Sequence, residues 1–148
     1  MANVFSLTFL GTGTSVGVPV MGCGCAVCRS DDPRNRRLRA SVWLRLGALN
    51  LLVDSGPDLR QQALREAMGE LDAVLYTHEH LDHVAGFDDL RAFCWRRSEP
   101  LPMYGTATCL ACLKQMFSWA FASDNVHHGY VKPDPRVVDG VFYCGQLR

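Results

Sequence analysis

Apolar positions in the first half of the chain fall into short runs of strand length. Residues 4–10 alternate loosely and are rich in β-formers, which predicts a first strand. Residues 41–46 and 49–54 predict two more, joined across Gly47 and Ala48 at hairpin spacing. Residues 71–76 are apolar and bounded by Gly69, the pattern of a buried strand. Between these runs, Leu59, Ala63, Leu64, Ala67 and Met68 share one face of a helix that Pro57 opens and Gly69 stops. Further on, Val84, Phe87, Leu90, Cys94 and Trp95 have core spacing on a helix over residues 84–97. Pro100 and Pro102 flank a short strand ending near Tyr104. Leu110, Leu113, Phe117 and Phe121 mark the buried face of a helix over 106–121. Residues 123–135 have loop composition, and residues 136–148 read as another pair of strands around Asp139 and Gly140. The alternation of strands and helices predicts an α/β fold.

Composition narrows the class without changing that picture. The 148 residues read as one domain, 48% apolar and 20% charged, as in ordinary globular proteins. Fifteen basic and fifteen acidic side chains cancel, so no overall field favours nucleic acid or an acidic membrane, and neither is an expected partner. The first fifteen residues lack a basic flank and no run approaches eighteen apolar residues, so the expected location is cytoplasmic. Seven cysteines, three of them within six positions, point to thiols held reduced or on metal rather than to a disulfide framework.

The densest chemistry follows the fourth predicted strand. Thr77-His78-Glu79-His80-Leu81-Asp82-His83 carries three imidazoles and two carboxylates. If the extended backbone continues, His78, His80 and Asp82 point to one side, and the chain must turn to bring in His83. A helical zinc-protease pattern is excluded, because the residue four after His78 is Asp82. The HxHxDH set suits two adjacent divalent ions better than one. Asp54 closes the third strand before Gly56 and Pro57, where it either caps the following helix or accepts a hydrogen bond from a metal-binding histidine.

Three other segments carry weaker signals. Cys23, Cys25 and Cys28 form CxCxxC, three thiolates of a tetrahedral structural Zn2+ site whose fourth ligand comes from elsewhere. The Gly11 to Gly17 loop resembles a dinucleotide fingerprint, but no helix can start cleanly at Val18-Pro19, so its glycines serve tight turns. The arginines at 34, 36, 37 and 39 read as a solvated connection, with phosphate binding as the alternative. Cys109 and Cys112 read as helix packing, and His127 and His128 as exposed loop residues.

HxHxDH at His78, His80, Asp82 and His83, preceded by Leu52-Val53-Asp54-Ser55-Gly56, resembles the metallo-β-lactamase superfamily. The stretch Leu10 to Pro19, the three cysteines, and Asp32-Pro33-Arg34-Asn35-Arg36-Arg37 look like its phosphoribosyl cyclic phosphodiesterase branch. The resemblance implies an αβ/βα sandwich, of which this chain matches about the first half. It also implies two Mn2+ or Zn2+ ions, with His78 and His80 at the first and Asp82 and His83 at the second. The reaction implied is attack on phosphorus by a metal-activated hydroxide, with Asp82 among the catalytic groups and a small phosphate ester as substrate. Family members take further ligands from the carboxyl-terminal half, whereas after His83 this chain holds only His127 and His128. Half a sandwich also leaves an apolar sheet face open, which makes a homo-oligomer or a non-catalytic zinc-binding partner subunit the competing expectation. Within the superfamily, thioesters, lactams and RNA ends are the competing substrates.

Overall fold

A computed structural model describes residues 5–144. Six strands build one mixed sheet in sequence order: β1 (Phe5–Gly11), β2 (Ser41–Leu46), β3 (Leu49–Val53), β4 (Ala73–Leu75), β5 (Leu101–Gly105) and β6 (Pro133–Val137). The first three pair antiparallel, and β3 through β6 run parallel. Four short helices, α1 (Leu59–Arg65), α2 (Leu81–Val84), α3 (Arg91–Cys94) and α4 (Ala107–Met116), fill the connections. Parallel neighbours need crossovers, and these crossovers supply the apolar cover of one sheet face. That face holds the main core, in which Leu10, Leu52, Val74, Phe87, Leu90, Met103 and Leu113 are fully buried.

The opposite face carries a smaller cluster of Leu51, Ala73, Tyr104 and Cys144, flanked by Leu44, Leu49, Leu75 and Phe142. Cross-strand register puts Phe5, Leu7 and Phe9 beside Leu46, Leu44 and Val42 on that face. The three β1 side chains are 56%, 47% and 64% exposed. An open apolar sheet face is what half of an αβ/βα sandwich presents.

Several elements depart from the hydrophobic pattern. The helix expected over 84–97 is broken into α2, a 3-10 turn at Phe87–Leu90, and α3. The break falls at Gly86, whose amide donates to the Ser55 carbonyl at 2.8 Å and whose missing Cβ admits the Gly56 carbonyl. Loop contact therefore overrides helical periodicity, and Trp95, placed in the core by spacing, is 64% exposed. The first helix runs only from Leu59 to Arg65; Ala67, with φ of 51°, turns the chain before Gly69, and Leu64 is exposed. The fourth helix stops at Met116, but Phe117 and Phe121 still pack on Phe87, with ring centroids 4.4 and 5.8 Å away. β6 occupies part of the expected loop, since Pro133 and Pro135 are tolerated on an edge strand. Beyond it, the expected hairpin is absent among the described residues; Gly140 makes a bend and only Cys144 forms a bridge. Residues 145–148 of that expectation lie outside the described residues.

The arginine-rich segment closes the Gly11 to Gly17 loop onto the sheet. Val18 and Arg37 exchange backbone hydrogen bonds, and the Gly13 amide donates to Leu38. Arg39 reaches Ser15 and pairs with Asp58 at 2.9 Å. Two of the four arginines are thus tied to the scaffold: Arg37 donates to the Thr12 carbonyl, and Arg39 is held as described.

Candidate metal centre

The site forms where the carboxyl ends of β3 and β4 meet, the edge at which open parallel sheets present functional groups. After Val53 the backbone takes a left-handed turn at Asp54, φ 63°, a conformation Asp tolerates better than most residues. The Asp54 amide stays tied to the sheet through the Leu75 carbonyl at 2.9 Å. Its side chain, 5% exposed, then points back across the β4 exit. Two glycine contacts clamp this turn. A Cβ on Gly56 would strike the Asp82 carbonyl, and one on Gly86 would strike the Gly56 carbonyl. Below them Ser55 Oγ and Tyr76 OH share a buried hydrogen bond of 2.7 Å, worth about 0.5–1.5 kcal/mol. Burial raises the Tyr76 pKa well above its ordinary value, so the phenol stays neutral.

Asp54 does not cap a helix, because α1 begins five residues later. Its carboxylate accepts three hydrogen bonds: from the Thr77 amide at 2.8 Å, the Thr77 hydroxyl at 2.7 Å, and His83 Nδ1 at 2.7 Å. Of the two roles expected for Asp54, the cap is absent and the contact with a histidine is present.

Extended backbone persists only to His80, φ −63° and ψ 146°, and α2 starts at Leu81. Period-two alternation thus holds for His78 and His80 but fails at Asp82, which lies beside His83 in the helical turn. The amides of His83 and Val84 both close onto the His80 carbonyl. This turn brings the predicted side chains into pairwise contact, but among the described residues no three of their ligand atoms lie within 4.8 Å of one another. Ring centroids of His78 lie 4.6 Å from His80 and 4.1 Å from His83, and His83 Nε2 lies 3.1 Å from Asp82 Oδ2. That last contact is informative about chemistry. If Nδ1–H of His83 donates to Asp54, the neutral ring offers Nε2 as a lone pair, and a carboxylate oxygen faces it. In that tautomer both atoms are free to hold one divalent ion.

The cysteine segment forms a separate, exposed cluster. The Sγ atoms of Cys23, Cys25 and Cys28 all lie within 4.8 Å of one another, and among the described residues no fourth ligand side chain joins them. A tetrahedral Zn2+ with bonds of about 2.3 Å sets its sulfurs about 3.8 Å apart, so the cluster fits with a small contraction. The Cys28 amide donates to Cys25 Sγ, and together with hydrogen bonds from the Cys23 and Cys28 thiols it lowers the Cys25 pKa to about 7. All seven cysteines are free thiols. Cys109 is buried and Cys112 half-buried on α4, while His127 and His128 are exposed.

Sequence reasoning overlooked Thr77, Ser55, Tyr76 and Gly86, which hold the cluster in place. The available signal was the pairing of Gly56 with Gly86, two glycines flanking chemically dense segments with no turn to explain both.

Comparison with known proteins matches residues 49–145 to the β-lactamase superfamily domain. An octanoyltransferase of Porphyromonas gingivalis is 47% identical over 113 residues, covering 76% of this chain and 23% of that protein. Among solved structures, a diphosphatase of the PhnP family superposes with a TM-score of 0.82 at 40% identity, covering 91% of this chain and 50% of that one. The Zn2+-bound PqqB of Methylobacterium extorquens gives 0.72 at 25% identity, covering 94% and 48%. The chain thus spans about a quarter of the first relative and about half of each solved protein. No helix among the described residues is long and apolar enough to cross a membrane. With the domain matched over well more than half its length, and with a metallo-β-lactamase-like arrangement of sheet, helices and open second face, the chain belongs to the β-lactamase superfamily.

Proposed function

We propose that the chain carries the amino-terminal ligands of a dinuclear metallohydrolase centre that cleaves a small phosphate ester, a cyclic phosphodiester in particular. The 3.1 Å approach of His83 Nε2 to Asp82 Oδ2, with Asp54 held behind the ring, carries this reading. His78 and His80 serve one divalent ion, Asp82 and His83 the other, and Mn2+ and Zn2+ both suit imidazole with carboxylate. Two side chains per ion are fewer than the three protein ligands of catalytic zinc sites, so in this reading water and substrate oxygens fill the remaining positions. Bound there, the ions supply a nucleophile from water at neutral pH and neutralise charge on the phosphoryl oxygens. The chain's own residues do the positioning: Asp54 fixes the His83 ring, and the Gly56 and Gly86 contacts fix the turn that presents Asp82. Cys23, Cys25 and Cys28 hold a structural Zn2+. The 40% identity to a PhnP-family diphosphatase supports a phosphate ester over thioesters or lactams.

The test is hydrolysis of a ribose cyclic phosphate against a linear diester and a thioester, with Mn2+ or Zn2+ added. Hydrolysis of the cyclic phosphate that His80→Ala and Asp82→Asn abolish is expected. Turnover unchanged by either substitution, or none of the cyclic phosphate, overturns it. One observation favours a second reading, a zinc-holding partner subunit without turnover: the exposed Phe5, Leu7 and Phe9 on the open sheet face. Sedimentation as a monomer across concentration, with no binding of a hydrophobic dye, contradicts that reading.

A further inference from the structure

We infer that Thr77 is a positioning residue that passes the polarity of Asp54 on to His78, so that one buried carboxylate sets the tautomer of two histidines. The inference deepens the dinuclear reading and rests on it for its use, though not for its geometry.

Proton bookkeeping carries the argument. A carboxylate only accepts, so the 2.7 Å contact between Thr77 Oγ1 and Asp54 Oδ2 consumes the single hydroxyl proton. Thr77 Oγ1 then has only lone pairs for its second partner, His78 Nδ1, at 3.0 Å. His78 must therefore carry a proton on Nδ1, and in the neutral ring Nε2 is then the lone pair. His83 reaches the same state directly, because its Nδ1 lies 2.7 Å from the same Oδ2. Both rings thus offer Nε2, and their centroids lie 4.1 Å apart. The Thr77 amide, donating to Asp54 Oδ1 at 2.8 Å, locks the relay in register, since a rotated carboxylate would lose that bond. His80 has no such hydrogen bond among the described residues and provides an internal control.

The arrangement matters because a ring that enters the site with Nε2 protonated must change tautomer before it can bind an ion. Substitution of groups that orient a ligating histidine lowers metal affinity by about 10–100-fold. Thr77 is itself exposed, so a valine of the same shape fits the position without steric cost while removing the hydroxyl.

The experiment is two-dimensional 15N–1H spectroscopy of the histidine rings in the metal-free chain at about pH 8.5, two units above the ordinary imidazole pKa. In the wild type, His78 and His83 are expected as Nδ1–H tautomers. Thr77→Val is expected to release His78 alone toward the Nε2–H form, Thr77→Ser to restore it, and Asp54→Asn to release both rings; His80 does not respond. A wild-type His78 protonated on Nε2, or a His78 tautomer that survives Thr77→Val, overturns the relay. Zn2+ titration of the same samples separates the two claims: intact tautomers with no ion bound at the cluster contradict the dinuclear reading and leave the relay standing.

Discussion

Replacing Asp54 by Asn removes one charge while keeping shape, burial and backbone. The left-handed φ of 63° is as acceptable to Asn as to Asp, so backbone strain contributes nothing to the change. The side chain now has one acceptor oxygen where three donors converge. If that oxygen stays with the Thr77 amide, the new NH2 faces the Thr77 hydroxyl and His83 Nδ1. Threonine can rotate to accept, but His83 must move its proton to Nε2, which turns the ring's open lone pair away from Asp82. Three charge-assisted bonds of about 1.5–3 kcal/mol each become neutral bonds of about 0.5–1.5 kcal/mol, a net loss of about 3–4.5 kcal/mol. With a urea dependence of about 1–3 kcal/mol/M, the unfolding midpoint falls by about 1–2 M. Asp54→Ala should cost more, by about 1 kcal/mol of left-handed strain that Asn avoids. A urea midpoint for Asp54→Asn within about 0.5 kcal/mol of wild type would refute the reasoning, because a surface-like effect of that size is incompatible with a buried triple acceptor.

Gly86→Ala places a methyl against the Gly56 and Ser55 carbonyls and should destabilise by about 1–3 kcal/mol, whereas Gly69→Ala, with nothing within 4 Å, should be neutral or mildly stabilising; thermal melts of the two variants side by side check this. For the cysteine cluster, the lowered Cys25 pKa of about 7 means that its thiolate is present above that pH and is lost as pH falls through it. In zinc-free protein, iodoacetamide should therefore label Cys25 half-maximally near pH 7, and Zn2+ should protect it. Cys109, which burial pushes up to about 11, should stay unlabelled at pH 8; mass mapping of the labelled thiols decides.

Strand existence was legible because β2, β3 and β4 are short apolar runs with clear turn residues at their ends. Helix extent was not. The 84–97 periodicity is real, since Val84, Phe87 and Leu90 are all buried, but a backbone contact from a loop thirty residues upstream breaks the helix there. Likewise, the ligand-type residues of the candidate site were all visible as HxHxDH, while their arrangement was not: extended phase predicts Asp82 alongside His78 and His80, and the helical turn at Leu81 puts it beside His83 instead. Asp54 was visible as a residue with two possible roles. The left-handed turn, which local sequence does not announce, carries its carboxylate away from α1 and to the His83 ring. The edge strand β6 was hidden by its prolines, which signal a loop in sequence and cost little at an edge.

The central claim is that His78, His80, Asp82 and His83 hold divalent ions, and paramagnetic titration tests it most directly. Mn2+ is a hard ion that imidazole and carboxylate accept and a thiolate cluster does not favour, so it separates the two candidate sites. Added in steps to 15N-labelled protein, Mn2+ is expected to broaden the resonances of residues 77–84 and of Asp54 first, to leave residues 23–28 sharp, and to lose its effect in His80→Ala combined with His83→Ala. Uniform broadening over the acidic surface, unchanged by the double substitution, would contradict the account.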